Sequence, residues 1–369
     1  MSHDDLGRKK EREYLLCGLA FLPLLLCLTN LRVLARAPAA AIKSQDGVSV
    51  LIPARNEATQ IIPALESVLA NGTLVKEILV LDDNSGDDTA DRALSLGDDR
   101  IRILCGTQLL EGWCGKNHAC AQLARAATQP WLLFIDADVR LTTDAVNRLV
   151  ALGDSPNAPA LLSGVPRQIT ATWLEWLLLP LINVLLFGYL PLALDNGRSA
   201  GLAAACGQLV MVRAQAYRES GGHGAIRGRL HDGLALARHL RRHGYRTRLI
   251  DATDLAQCRM YRSGSEVYAG LMKNAVEGMA GPVALPIWTV LLAGAHILPF
   301  LCRGTALVWM ARMASLTFRL IVALRCHQGL RTALLSPIGV FLLLWIQFHA
   351  RLRHLLGRPV SWKGRIYDT

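Results

Sequence analysis

The chain has 369 residues, enough for one large domain or two small ones; 52% of them are hydrophobic and the formal net charge is +11. The basic residues gather beside apolar segments, at Arg8 to Arg12, Arg325 to Arg331 and Arg351 to Arg365, a pattern of anchoring against anionic lipid. There is no zinc-finger spacing and no aromatic-rich basic stretch, so no nucleic-acid partner is expected, and the nine scattered cysteines read as free thiols in a reducing compartment.

Apolar residues concentrate in Tyr14–Leu31, in Trp173–Leu194 and after Pro282, the pattern of a membrane protein with a soluble insert. The first run carries no charge and is flanked by Arg8, Lys9, Lys10 and Arg12 and by Arg32 and Arg36. It predicts an uncleaved anchor over 14–34 behind a 1–13 tail. The rival is a signal peptide, because Ala35-Arg36-Ala37 resembles a small-x-small cleavage site.

From Val48 the pattern changes. VSVLIPARNE begins as a strand and ends in a polar turn, and Thr59–Ala70 has helical apolar spacing. Lys76–Leu81 is a second buried strand, closed by Asp82 and Asp83; Asp87–Leu96 reads as a helix, Arg100–Cys105 as a third strand and Lys116–Ala127 as a helix. Trp131–Ile135 is a fourth strand, followed at once by Asp136-Ala137-Asp138. Alternating strands and helices predict an α/β domain of βαβ units, with a mostly parallel sheet covered on both faces. Such sheets bind ligands beyond the carboxyl ends of their strands, where the clusters at Arg55-Asn56-Glu57, Asp82-Asp83 and Asp136-Ala137-Asp138 all fall. In an extended chain residues i and i+2 point the same way, so Asp136 and Asp138 are expected to face one pocket. Paired carboxylates repel unless a cation or proton relieves them, and Mg2+ or Mn2+ with a diphosphate is the usual relief. A plain surface turn is the alternative.

Trp173–Leu194 contains Glu175, Pro180 and Pro191 and suits a helix lying in the membrane interface. Ala200–Arg213 ends in a strand, Leu234–His243 is a basic-faced helix closed by Gly244, and Thr247–Asp251 is a short strand. A catalytic domain over 47–262 is followed by an amphipathic connector at 263–281, a membrane region at 283–350 and a basic tail at 351–369. Val283–Cys302 and Leu334–Ala350 are expected to span. Thr305–Leu324 holds Arg312 and Arg319 on one helical face, which favours an interfacial segment.

The pieces VSVLIPARNE, LVLDDNSGDDT, GWCGKNHA, LLFIDADV and GGHGAIRGRLHDGLALARHLRRHGYR stand in the order of the family 2 glycosyltransferases of the GT-A fold, and over Val48–Arg248 the chain resembles them. Gly112-Trp113-Cys114-Gly115-Lys116, Arg259-Met260-Tyr261-Arg262, Lys273-Asn274 and the terminal SWKGRIY are similar to the membrane-bound lipid branch, the hopene-associated and carotenoid (diaponeurosporenoate-type) enzymes. The resemblance implies an inverting transfer from a nucleotide-sugar, with UDP the expected carrier, to a membrane lipid. The enzyme would sit in the inner membrane with its catalytic domain facing the cytoplasm.

The same resemblance implies the donor contacts: Pro53, Arg55 and Glu57 at the nucleotide, Asp82 or Asp83 at uridine or ribose, and Asp136 beside the donor. It makes Asp138, with Asp136, the metal ligand, Asp232 the general base, and Arg259 and Arg262 a diphosphate clamp. Lys116 opens a helix, where a cation is misplaced unless an anion faces it, and a diphosphate would explain it. The family's Glu-Asp pair is His231-Asp232 here, so the residue beside the base is not an acid, and His231 is itself able to join proton transfer near neutral pH. Capping its helix is the alternative for Asp232. The Gln-x-x-Arg-Trp of processive members is missing from Gln257-Cys258-Arg259-Met260-Tyr261-Arg262, which disfavours a polysaccharide synthase. A degenerate, nucleotide-binding membrane scaffold is the non-enzymatic alternative.

Overall fold

The computed structural model describes residues 3–34, 36–37, 46–155, 158–358, 360–362 and 365–367. Ala35 of the cleavage-like triplet, Met1 and Ser2 of the N-terminal tail, and Lys363 and Gly364 of SWKGRIY lie outside the described residues. The chain forms two compact units. One comprises Leu34–Ile169 and Leu194–Met260, the other Met1–Val33, Thr170–Ala193 and Tyr261–Thr369.

In the first unit the strands are β1 (Val48–Ala54), β2 (Val75–Asp82), β3 (Ile101–Cys105), β4 (Trp131–Ile135), β5 (Val139–Leu141), β6 (Leu161–Gly164), β7 (Arg167–Gln168), β8 (Leu209–Arg213), β9 (Thr247–Ile250) and β10 (Ala256–Cys258). Seven of them form one sheet in the order β3-β2-β1-β4-β8-β6-β9. Pairing is parallel from β3 through β4 and again between β6 and β9, while β8 runs antiparallel to both neighbours. The mostly parallel sheet expected from the alternating pattern is therefore present, and β8 is the strand that reverses.

Alternate residues of each strand enter opposite cores, as the two-residue period of a strand requires. Val50, Ile52, Ile78, Val80, Leu133 and Met211 share one cluster with Ile61, Leu65 and Val146. Leu51, Leu79, Leu132, Phe134 and Val210 share the other with Leu123, Leu236 and Leu240. Helices Ile61–Leu69 and Ala145–Gly153 cover one face, and Gly115–Ala126 and Asp232–Arg242 the other. Gly244, with φ of +84°, closes the last of these in the left-handed conformation that glycine adopts most cheaply.

A second, three-stranded sheet in the order β5-β10-β7 was not foreseen from sequence. Its strands are two or three residues long, too short to show a period. Its register sets Cys258 opposite both Val139 and Gln168.

The other unit is helical. His3–Val33 contains the stretch expected as an anchor, and among the described residues two helices, Gly7–Val33 and Ala306–Arg325, are long and apolar enough to cross a membrane. The second is the segment for which the arginines favoured the interface. Arg319 is buried, with Nη2 donating to the Thr332 carbonyl at 3.2 Å, and Arg312 donates to the carbonyls of Pro299 and Cys302 at 2.8 and 2.7 Å. Backbone acceptors thus take two Arg312 donors and one of Arg319 within the unit, while Nε and Nη1 of Arg319 are buried without a hydrogen-bond partner. Val283–Cys302, expected to span, is instead Ala284–His296 followed by Leu298–Leu301. Pro299 has no N–H for the residue four positions back, and the helix breaks before it. Trp173–Leu194 is likewise divided at Pro180 into Trp173–Leu178 and Leu181–Tyr189, and Leu334–Ala350 falls mostly within Ser336–Leu355.

Candidate active site

The site is built where the chain leaves the strands. Strand β4 stops at Ile135, and Asp136 to Asp138 form a turn closed by Val139 N donating to Asp136 O at 3.0 Å. The two carboxylates are therefore not on one face of an extended chain. Asp136 turns toward Lys116 and Asp138 toward Cys258 on β10.

Lys116 lies in the first turn of the Gly115–Ala126 helix. Its Nζ is 2.7 Å from Asp136 Oδ1, 3.0 Å from Asp232 Oδ2 and 3.1 Å from the Gly207 carbonyl. The anions answering this helix-start cation are thus two carboxylates from distant parts of the sequence. Burial alone would lower the Lys116 pKa, but Asp136 and Asp232 hold the ammonium well above its ordinary value.

Asp232 is the first residue of the Asp232–Arg242 helix and His231 its N-cap, without a side-chain capping bond. The Asp232 carboxylate does not cap that helix from the preceding position. It faces inward toward Lys116 and packs on Gly207, where an added Cβ would sit 2.5 Å from both carboxylate oxygens. The next helical residue, Gly233, meets the Gly207 backbone as closely. Gly207 is the close-approach glycine of the site, and β8 begins two residues later.

Asp138 is the second anionic centre. Burial, with Asp136 and Glu57 nearby, pushes its carboxyl up to about 7. It is hydrogen-bonded to Cys258, while its Oδ1 is buried without a hydrogen-bond partner. Among the described residues no three His, Cys, Asp or Glu side chains converge as a metal-ligand set. One bare carboxylate oxygen beside two more acids still fits a hard divalent cation that takes its other ligands from phosphate and water.

The first loop is tied to the second. Asn56 N donates to Ser85 Oγ at 2.9 Å, Gly86 N donates to Asn56 Oδ1 at 2.8 Å, and Glu57 N donates to Thr89 Oγ1 at 2.8 Å. Arg55 donates to the Asp83 carbonyl at 3.3 Å, Asp83 is buried, and Asp82 accepts from Ser85 N at 3.2 Å. Pro53 lines the same small pocket as Lys116, Asp136 and Asp232. Arg259 follows β10 in this unit, whereas Arg262 belongs to the helical unit, where its backbone N–H donates to Glu266 at 2.8 Å.

Sequence reasoning passed over three residues. Asn117, next to Lys116, is buried and places Nδ2 within 3.1 Å of the carbonyls of Ile226, Arg227 and Arg229, fixing the segment that leads to Asp232. Its place beside Lys116 in the GKN triplet was the available signal. His223 lines the pocket and meets Tyr217 Oη through Nδ1 at 2.8 Å; burial lowers its pKa to about 4, against the pull of Asp232 and with that of Lys116. Cys258 carried no signal, since a lone cysteine in a short strand has none.

The family model described as Glycosyl transferase family 2 matches residues 49–220, the stretch that carries β1 through β8, Lys116 and both acids of the turn. This stretch is a family 2 glycosyltransferase domain. The chain is 28% identical over 241 residues to the 4,4'-diaponeurosporenoate glycosyltransferase of Staphylococcus aureus strain USA300, an alignment covering 63% of this chain and 62% of that protein. With the protein of the same name from strain MRSA252 it is 25% identical over 350 residues, covering 87% and 88%. In fold it is similar to a mannosyltransferase from Pyrobaculum calidifontis, solved in complex with GDP-Man and Mn2+, at a TM-score of 0.57 and 20% identity over 93% of this chain and 99% of the other. The chain therefore has the GT-A architecture that its motif order implied.

Proposed function

We propose that the protein is an inverting glycosyltransferase that moves a sugar from a nucleotide-sugar, UDP-linked in the first instance, to a membrane lipid of hopanoid or carotenoid type. The observation that carries this reading is Lys116, whose Nζ is shared by Asp136 and Asp232 at 2.7 and 3.0 Å. One cation joins the donor side of the family pattern to the position of its general base.

The chain's own groups divide the work as follows. Pro53, Arg55, Glu57, Asp82 and Asp83 line the two stitched loops at the rim and hold the nucleotide. Asp138, through its bare Oδ1, and Asp136 hold Mg2+ or Mn2+, which when bound supplies Lewis-acid stabilisation of the departing diphosphate. Lys116 holds Asp136 and Asp232 together through its ammonium and is assigned to the donor diphosphate by resemblance. Arg259 adds charge beside β10, and Arg262 is assigned to the same clamp by resemblance. Asp232 accepts the proton of the acceptor hydroxyl while that oxygen bonds to the anomeric carbon. The bond from that carbon to the diphosphate oxygen breaks and its electron pair leaves with the nucleoside diphosphate. Attack from the face opposite the leaving group inverts the centre. His231 stands where the family has an acid and adds no fixed negative charge beside the base.

The acceptor class is supported by the name of the Staphylococcus relatives and by the two helices of spanning length. The basic flanks support a multi-pass protein of the inner membrane with its catalytic domain facing the cytoplasm. On this reading 47–262 is the catalytic domain, with 173–194 at the interface. The test is cation-dependent transfer from a panel of UDP- and GDP-sugars to membrane lipid extracts, with wild type beside Asp138→Asn and Asp232→Asn. Labelled lipid from wild type and none from either variant is the expected result. Nucleotide binding without transfer to any lipid would favour a scaffold, and no nucleotide binding would sink the proposal.

A further inference from the structure

The small sheet of β5, β10 and β7 holds a chain of buried side chains that ends on Asp138. Gln168 Nε2 donates to Gln208 Oε1 at 3.1 Å, and Gln208 Nε2 donates to Cys258 Sγ at 3.1 Å. Cys258 is in turn hydrogen-bonded to the Asp138 carboxylate. Gln168 is anchored at the far end by donating to the Pro166 carbonyl at 3.0 Å. All three supporting residues are buried, at 8%, 5% and 1% exposure, so water does not compete for these bonds.

The direction of the chain is fixed by its chemistry. Each amide gives its N–H to the next acceptor. The Cys258 sulfur receives from Gln208, so its own S–H is the donor left for the carboxylate, which accepts only. The thiol thus addresses the Asp138 carboxylate, whose Oδ1 is buried and makes no hydrogen bond. A ligand carboxylate oriented by an outer hydrogen bond is a recurring feature of metal sites, and loss of such a partner costs about 10–100-fold in metal affinity.

We propose that Cys258 is a positioning residue for the metal ligand Asp138: its thiol, oriented by Gln208 and Gln168, fixes which carboxylate oxygen is presented to the divalent cation. This rests on the reading of Asp138 as a cation ligand. No other strand of the small sheet supplies this donor: the residue of β5 that Cys258 faces is Val139, and on β7 it is Gln168, which bonds to Gln208.

The experiment measures Mn2+ binding to the purified full chain in detergent, by electron paramagnetic resonance, in the presence of UDP and separately GDP, without sugar transfer. Cys258→Ala should weaken Mn2+ about tenfold or more, while Cys258→Ser, which keeps a donor, should stay within about threefold of wild type. Gln208→Met leaves the thiol but removes its orienting donor, and should weaken Mn2+ severalfold, which keeps the test alive should Cys258→Ala not fold. Wild-type Mn2+ affinity in both Cys258→Ala and Gln208→Met, with Asp138→Asn still impaired, would overturn the positioning role and leave the metal reading standing. A loss in Cys258→Ser equal to that in Cys258→Ala would overturn it too, since a donor would then not be what matters. If wild type binds no Mn2+ with either nucleotide, the metal reading fails and this inference falls with it.

Discussion

At the scale of single residues, one ammonium is shared by two carboxylates. Lys116→Gln removes the ammonium held between Asp136 and Asp232 and leaves the two carboxylates without their shared counter-charge. Loss of an electrostatic group of this kind typically costs about 10²–10³ in turnover. We expect Lys116→Gln to lose transfer activity on that scale in steady-state assays while retaining its fold. His223 yields a prediction about pH. Its folded pKa, about 4, lies below the ordinary 6.5, so the unfolded chain binds the proton more readily. Stability contributed by the neutral ring is whole above pH 6.5 and is lost as pH falls toward 4, by about 3 kcal/mol if this residue acted alone. Denaturant midpoints measured from pH 7 to pH 4 should fall, and His223→Phe should fall less over the same interval.

At the scale of elements, the site depends on how two segments are held. The first is the stretch before the Asp232–Arg242 helix, pinned by Asn117 through three carbonyls. Replacing a buried amide strands its acceptors at about 1–3 kcal/mol. Asn117→Ala should lower stability by that amount in urea unfolding and raise hydrogen exchange at 226–231 more than in β4. The second is the approach of the helix to Gly207. A methyl group there would sit 2.5 Å from the Asp232 oxygens, and neither helix nor strand has room to retreat, because Gly233 is packed on the same backbone. A displacement of about 1 Å in a catalytic group can cost about 10²-fold. Gly207→Ala should therefore lose about two orders of magnitude in turnover, with circular dichroism unchanged.

At the scale of the whole molecule, the chain divides its chemistry from its apolar surface. The carboxylates and Lys116 belong to the unit of Leu34–Ile169 and Leu194–Met260, while the helices of spanning length belong to the other unit. Leu25, Trp309 and Met313 on those helices, and Phe341 and Trp345 on Ser336–Leu355, are large apolar side chains left exposed. The expressed protein should stay with membranes through alkaline carbonate washing and leave them only in detergent, as followed by immunoblot of the fractions. Appearance in the carbonate supernatant would contradict the membrane reading.

The sequence by itself determined the elements whose period is long enough to read. Trp131–Ile135 was expected where β4 stands, Val48 opens β1, and the N-terminal apolar helix and the mostly parallel order followed from apolar runs and from strands alternating with helical spacing. Of the residues singled out, Asp136 and Asp138 stood out as acids directly after a buried strand, Lys116 as a cation at a helix start, and Asp232 through the resemblance in motif order. Tertiary structure decided who faces whom. Asp136 and Asp138 diverge because the strand ends before them and the chain turns. Lys116 finds its anions 20 and 116 residues away, a pairing no local pattern encodes. Arg312 and, through Nη2 alone, Arg319 meet carbonyls that come into reach only once the helical unit has packed. Cys258 gained its place from a register between strands of two and three residues, where packing and not periodicity fixes the neighbours.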